Sequence, residues 1–285
     1  MYMSELRFFL LGPPQIEHGE QPITLRSAKA VALLAYLALT NSPQTRERLA
    51  TLLWPESLTR AAHKNLSNTL WTLRKTFDED LIHIDNNCLT LANTVWTDVD
   101  HFENMAEALL QQNAPAVHEL EAVVELYRGI LLEGYTLWDA PEFEIWLTTE
   151  QARFHELYLR ILDTLVTLHR TKGNWHALIP LAQQALGQDS ANESVAQALM
   201  EAQARLGERR TALHTYDTLK AELAAELSIG PSAETEVLHD AILRGHLSGE
   251  VSKADNLKSE QLSSDVTVQP PELVEGGHWL RQAFD

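Results

Sequence analysis

From Val99 onward the apolar residues of this chain recur at helical spacing through seven successive segments, a periodicity that leaves little room for anything but an all-α array. The segments are Val99–Gln112, Ala116–Leu132, Pro141–Thr171, Trp175–Gly187, Glu193–Leu206, Arg209–Leu227 and Ala233–Arg244. Gly, Pro, Asn or Asp marks the short breaks between them, as expected where helices stop and start.

Gly173 and Gly207 stand about 34 residues apart, the tetratricopeptide period. Superposing the two units pairs Leu178 with Ala212, Ala182 with Tyr216 and Ala185 with Leu219, the small and aromatic positions where paired helices of such a repeat touch. Two units do not close a continuous core, so the long helices of 99–172 are expected to supply the remainder. Trp138, Trp146 and Trp175 are read as core residues in preference to the lining of a groove.

The first 97 residues follow a different pattern. Leu6–Leu11 and Pro22–Leu25 read as strands around Gly12-Pro13-Pro14 and His18-Gly19-Glu20. Three helices follow, at Ser27–Leu39, Thr45–Trp54 and Thr59–Phe77, and then a hairpin with Leu81–Ile84 and Cys88–Leu91 as its strands. Strands, three helices and a closing hairpin are the order of a winged helix-turn-helix. The fold class expected is therefore mainly α, an α+β winged helix-turn-helix followed by an all-α tetratricopeptide-like array. The divisions are 1–97 for DNA binding, 98–247 for the helical array and 248–285 for a flexible, Ser- and Asp-rich tail or linker.

Charge separates the two halves. The whole chain carries −18, yet Arg26 to Lys75 holds eight basic residues and two acidic ones, a net of +6. Binding responds to such local fields rather than to the total, so a local anion-binding module fits where a wholly basic nucleic-acid binder does not. On a helical wheel Leu66, Leu70, Leu73 and Phe77 form one buried stripe of the third helix, with Arg60, Lys64, Asn68, Trp71 and Lys75 opposite. Cations and an amide on such a face suit the major groove of double-stranded DNA, where Arg and Lys meet phosphates or guanine and Asn meets adenine. Arg26, Lys29, Arg46, Arg48 and Arg74 are candidates for phosphate contacts. The hairpin offers only His83, Asn86 and Asn87 and is read as mainly structural. The acidic excess of 101–245 serves solubility on one reading and on the other repels DNA, confining contact to the N-terminal module.

Other chemistries find no constellation. The single Cys88 makes no internal disulfide, is read as a small buried strand residue, and suits a reducing compartment. The twelve histidines form no metal-ligand spacing, and no nucleophile elbow or phosphate loop occurs, so neither an enzyme nor a cofactor or metal is expected. No segment reads as a signal peptide or a membrane span, and a cytoplasmic location is expected. The rival to a DNA-binding regulator is a helical-repeat interaction scaffold whose winged helix no longer binds DNA.

The run Leu10-Leu11-Gly12-Pro13, Leu25-Arg26-Ser27 through Ala32–Leu39, Arg48-Leu49-Ala50, Leu52-Leu53-Trp54-Pro55, Asn65-Leu66, Leu70 and Leu73-Arg74 resembles the OmpR-type winged helix of the SARP family of bacterial transcriptional activators. Trp146, Glu150, Gly173, Gly207 through Ala212 to Tyr216, Glu226-Leu227, Gly230-Pro231-Ser232, Leu238 and Ile242-Leu243 resemble the bacterial transcriptional activator domain that follows it there. The resemblance implies dimeric binding to direct repeats near promoters, a recognition role for the third helix, and recruitment of RNA polymerase. Two positions depart from the family pattern: His63-Lys64 replaces a pair of arginines, and Ser228 replaces a glycine.

Overall fold

The computed structural model describes residues 6–77 and 81–247; the tail expected at 248–285 lies outside the described residues. The chain opens with β1 (Leu6–Phe9), β2 (Gln15–His18) and β3 (Gln21–Pro22), followed by α1 (Ala28–Thr40), β4 (Gln44–Thr45), α2 (Arg46–Leu53) and α3 (Thr59–Phe77). The hairpin β5 (Ile82–Asp85) and β6 (Cys88–Leu91) and the short β7 (Trp96–Thr97) complete this part. One sheet runs β3-β2-β1-β7, with β7 parallel to β1, and a second runs β4-β6-β5. Side-chain oxygens of Ser27 and Thr45 cap α1 and α2, satisfying backbone N–H groups that the first helical turn leaves open.

The second strand lies earlier than Pro22–Leu25. After the Gly12-Pro13-Pro14 turn the chain returns at once as β2, whose register pairs Phe8 with Ile16 and buries both. Pro22 has no N–H to donate and stands at the outer edge of the sheet, where a proline is tolerated.

Helices α4 (Asp98–Leu110), α5 (Val117–Leu126), α6 (Pro141–Lys172), α7 (Trp175–Leu186), α8 (Glu193–Arg205), α9 (Arg209–Glu222) and α10 (Ala233–Leu243) build the second half. The helix expected to reach Leu132 ends at Leu126, because the following backbone is drawn onto the N-terminal sheet. Gly12 donates to the Ile130 carbonyl at 3.0 Å, Leu132 to Leu10 at 2.8 Å and Glu133 to Gly12 at 3.0 Å, around a bridge between Leu11 and Leu131. The repeat positions Leu178, Ala182, Ala185, Ala212, Tyr216 and Leu219 are all buried where α7, α8 and α9 pack. Glu193 on α8 caps the start of α10, accepting from the Ser232 N–H at 2.8 Å and from the Thr235 hydroxyl at 2.6 Å.

α9 passes into a π-helical turn, Leu223–Leu227, that ends at Ser228 with φ +57°. This left-handed conformation costs an L-residue about 1–2 kcal/mol and costs glycine almost nothing, which accounts for the glycine of the family pattern. Ser228→Gly is expected to stabilise the chain by about 0.5–1 kcal/mol once the greater freedom of unfolded glycine is deducted, read as an upward shift in thermal unfolding.

One hydrophobic core runs from Phe8 and Leu33 through Phe102 and Phe143 to Leu178 and Leu199 without a break at residue 97. At the junction the buried carboxylate of Asp98 accepts from the Leu10 N–H at 2.7 Å and the Leu11 N–H at 2.9 Å, with Arg128 at 3.6 Å. Tyr36 of α1 meets Trp146 of α6 edge-on, ring centres 4.8 Å apart.

Candidate nucleic-acid interface

α3 is built as an amphipathic rod. Ala62, Leu66, Leu70, Leu73 and Phe77 are buried against α1 and α2, and no acidic residue occurs in its nineteen positions. Arg60, Lys64, Asn68, Trp71 and Lys75 are all exposed on the opposite side. Four of its hydroxyls fold back on the helix: Ser67, Thr69, Thr72 and Thr76 donate to the carbonyls of His63, Asn65, Asn68 and Thr72 at 2.9–3.0 Å. Trp71 is 64% exposed, unusual for so large an apolar side chain, and Lys75 Nζ lies 5.2 Å from its ring centre, within cation–π range.

The remaining cations divide into two groups. Arg46 reaches from α2 to the α3 face, its Nη2 donating to Ser67 Oγ at 2.8 Å, and Arg26 and Arg74 are exposed. Lys29 and Arg48 are turned towards the helical half. Lys29 Nζ, largely buried, bonds the Leu53 carbonyl at 2.5 Å and the Asp139 carboxylate at 2.7 Å, and this contact holds the Asp139 carboxyl below its ordinary range. Arg48 pairs with Glu142 of α6 at 3.1 Å; a hydrogen bond to Tyr36, more than that carboxylate, raises its affinity for the proton. These two cations fasten the junction, whereas Arg46 extends the face.

The hairpin turns through Asn86 (φ +45°) and Asn87 (φ +66°), the two positive φ values that a tight two-residue turn requires and that Asn tolerates. His83, Asn86 and Asn87 are exposed at its end. Its edge on the α2 side is closed by β4, which pairs with β6.

The residues from 97 to 243 match the family model of the bacterial transcriptional activator domain. The chain belongs to this family. The transcriptional regulatory protein MoaR1 of Mycobacterium tuberculosis is 22% identical to it over 84% of this chain and 79% of the relative, and MoaR1 of Mycobacterium bovis matches equally. The solved structure of Mycobacterium tuberculosis EmbR in complex with a low affinity phosphopeptide shares the fold, with a TM-score of 0.62 and 22% identity over 91% of this chain and 69% of that one. This bacterial transcriptional activator domain protein is thus a transcriptional regulator of the SARP type.

Several side chains of the family member sit differently from their sequence reading. Trp138, expected in the core, is 92% exposed in the segment before α6, whereas Trp146 and Trp175 pack half-buried against the core. Cys88 is half-buried rather than buried. His169 is a helix-packing residue whose charging burial opposes, with Glu121 3.9 Å away. Among the described residues no group of three His, Cys, Asp or Glu is placed to hold a metal, and no helix is long and apolar enough to cross a membrane. Thr72, neither charged nor an amide, carries no signal in the sequence, yet it stands exposed one helical turn beyond Asn68.

Proposed function

We propose that this chain is a sequence-specific DNA-binding transcriptional activator that lays α3 in the major groove of promoter DNA. The observation that carries this reading is the exposed face of α3, lined by cations and amides and free of carboxylates in an otherwise acidic protein. Residues 1–97 make the DNA contact. Residues 98–247 provide dimerisation on direct repeats and the contact with RNA polymerase, and their negative charge keeps them off the DNA. Arg60, Lys64, Asn68, Trp71 and Lys75 face the groove, and the three cations among them join Arg26, Arg46 and Arg74 on the phosphates that border it. The setting is cytoplasmic, and no enzymatic step is involved.

The test is a salt series of binding to promoter fragments by the full chain, since the core is continuous across residue 97. With six cations on phosphates, log K is expected to fall with log[salt] at a slope of about −5. Asn68→Ala is expected to cost about 1–3 kcal/mol on a preferred fragment and little on random DNA. Absence of binding at low salt would overturn the reading in favour of a protein-interaction scaffold.

A further inference from the structure

Resting on the DNA-binding reading above, we infer that base reading is confined to the uncharged edge of α3, where Thr72 reads a thymine methyl group about two base-pair steps from the pair addressed by Asn68. At about 100° per residue the exposed arc of α3 separates into two edges. Arg74, Ser67 with Arg46 bonded to it, Arg60, Trp71, Lys64 and Lys75 follow one another around one edge. Ala61, Asn68 and Thr72 share the other within about 40°, all exposed and all uncharged. A continuous cationic edge matches a phosphate strand, and a small neutral edge lets the helix approach base edges closely without desolvating a charge.

The chemistry of that neutral edge is specific. Asn68 is the amide suited to the adenine N6/N7 pair. Thr72 already donates its hydroxyl to the Asn68 carbonyl at 2.9 Å, so it offers the groove no free O–H donor, and its γ-methyl group is the apolar contact available to a base. Four residues advance a helix by about 6 Å, close to two base-pair steps of about 3.4 Å, so both side chains reach bases of one short A·T-containing element. Thr69 is half-buried and on the flank, and Thr76 lies beyond the edge towards the buried stripe, so neither shares this position.

The experiment uses the full chain and a short duplex that it selects from a random-sequence pool. Each thymine of the half-site is replaced in turn by deoxyuridine, which removes only the 5-methyl group. At one or two thymines the wild-type protein is expected to bind about three- to fivefold more weakly, the worth of one buried methyl group. Thr72→Val, which keeps the methyl, is expected to retain that ratio. Thr72→Ser is expected to abolish it by weakening the thymine duplex alone, with the folded state of both variants checked by circular dichroism. Selection of a duplex by the wild type with no thymine sensitive to deoxyuridine, or an undiminished ratio in Thr72→Ser, overturns the assignment while leaving DNA binding intact. Failure to select any duplex overturns the DNA-binding reading itself.

Discussion

Replacing Asp98 by alanine is expected to cost about 3–5 kcal/mol of folding stability, a fall in melting temperature of about 10 °C. The carboxylate is 1% exposed and receives two successive backbone N–H groups from the end of the first strand, so its removal leaves both donors buried without a partner and Arg128 without its counter-charge. Because those donors belong to the winged-helix half and Asp98 opens α4, the loss falls on the junction. Asp98→Asn keeps one acceptor and is expected to lose about half as much. Burial outweighs the two N–H donors and Arg128 and raises the Asp98 carboxyl above its ordinary 3.8. The folded state therefore holds this proton more tightly than the unfolded chain does, and the contribution of this group falls as pH rises through the interval above 3.8. Wild type is accordingly expected to gain on Asp98→Asn as pH is lowered into that interval, measured by urea unfolding of the two proteins side by side. A melting temperature for Asp98→Ala within about 2 °C of wild type would show that the clasp contributes nothing.

The elements legible in the sequence are those whose packing partner is nearby or whose pattern is long. The α3 stripe of Leu66, Leu70, Leu73 and Phe77 is buried as its periodicity requires, and the paired positions of α7 and α9 are buried as the 34-residue spacing implies. Contacts made across the junction were not legible. Lys29 meets Asp139 at a separation of 110 residues and Arg48 meets Glu142 at 94, so nothing local distinguishes these cations from Arg46, which lies on the α3 face. The same reason shortened α5: Leu131 is as apolar as its neighbours, but its backbone is claimed by Leu11. There tertiary pairing overrode local helix propensity.

Reversing Arg60 and Lys64 together to glutamate is expected to abolish specific DNA binding, with a loss of at least about 100-fold near 0.1 M salt and a salt slope shallower by about 2. The two side chains are exposed, on the cationic edge of α3, and make no ion pair among the described residues, so the change removes two phosphate contacts and sets two repelling charges in their place. The decisive comparison is Lys29→Glu with Arg48→Glu, which alters the net charge by the same amount within the same basic window. There the new carboxylates face Asp139 and Glu142, so the cost is expected in stability, about 1–3 kcal/mol, with DNA affinity reduced far less. Equal losses of DNA binding in the two double variants would mean that the protein responds to its overall charge and that α3 holds no privileged position. Unequal losses, with melting temperature moving in the opposite order, would separate the cations that face DNA from those that join the two halves of the chain.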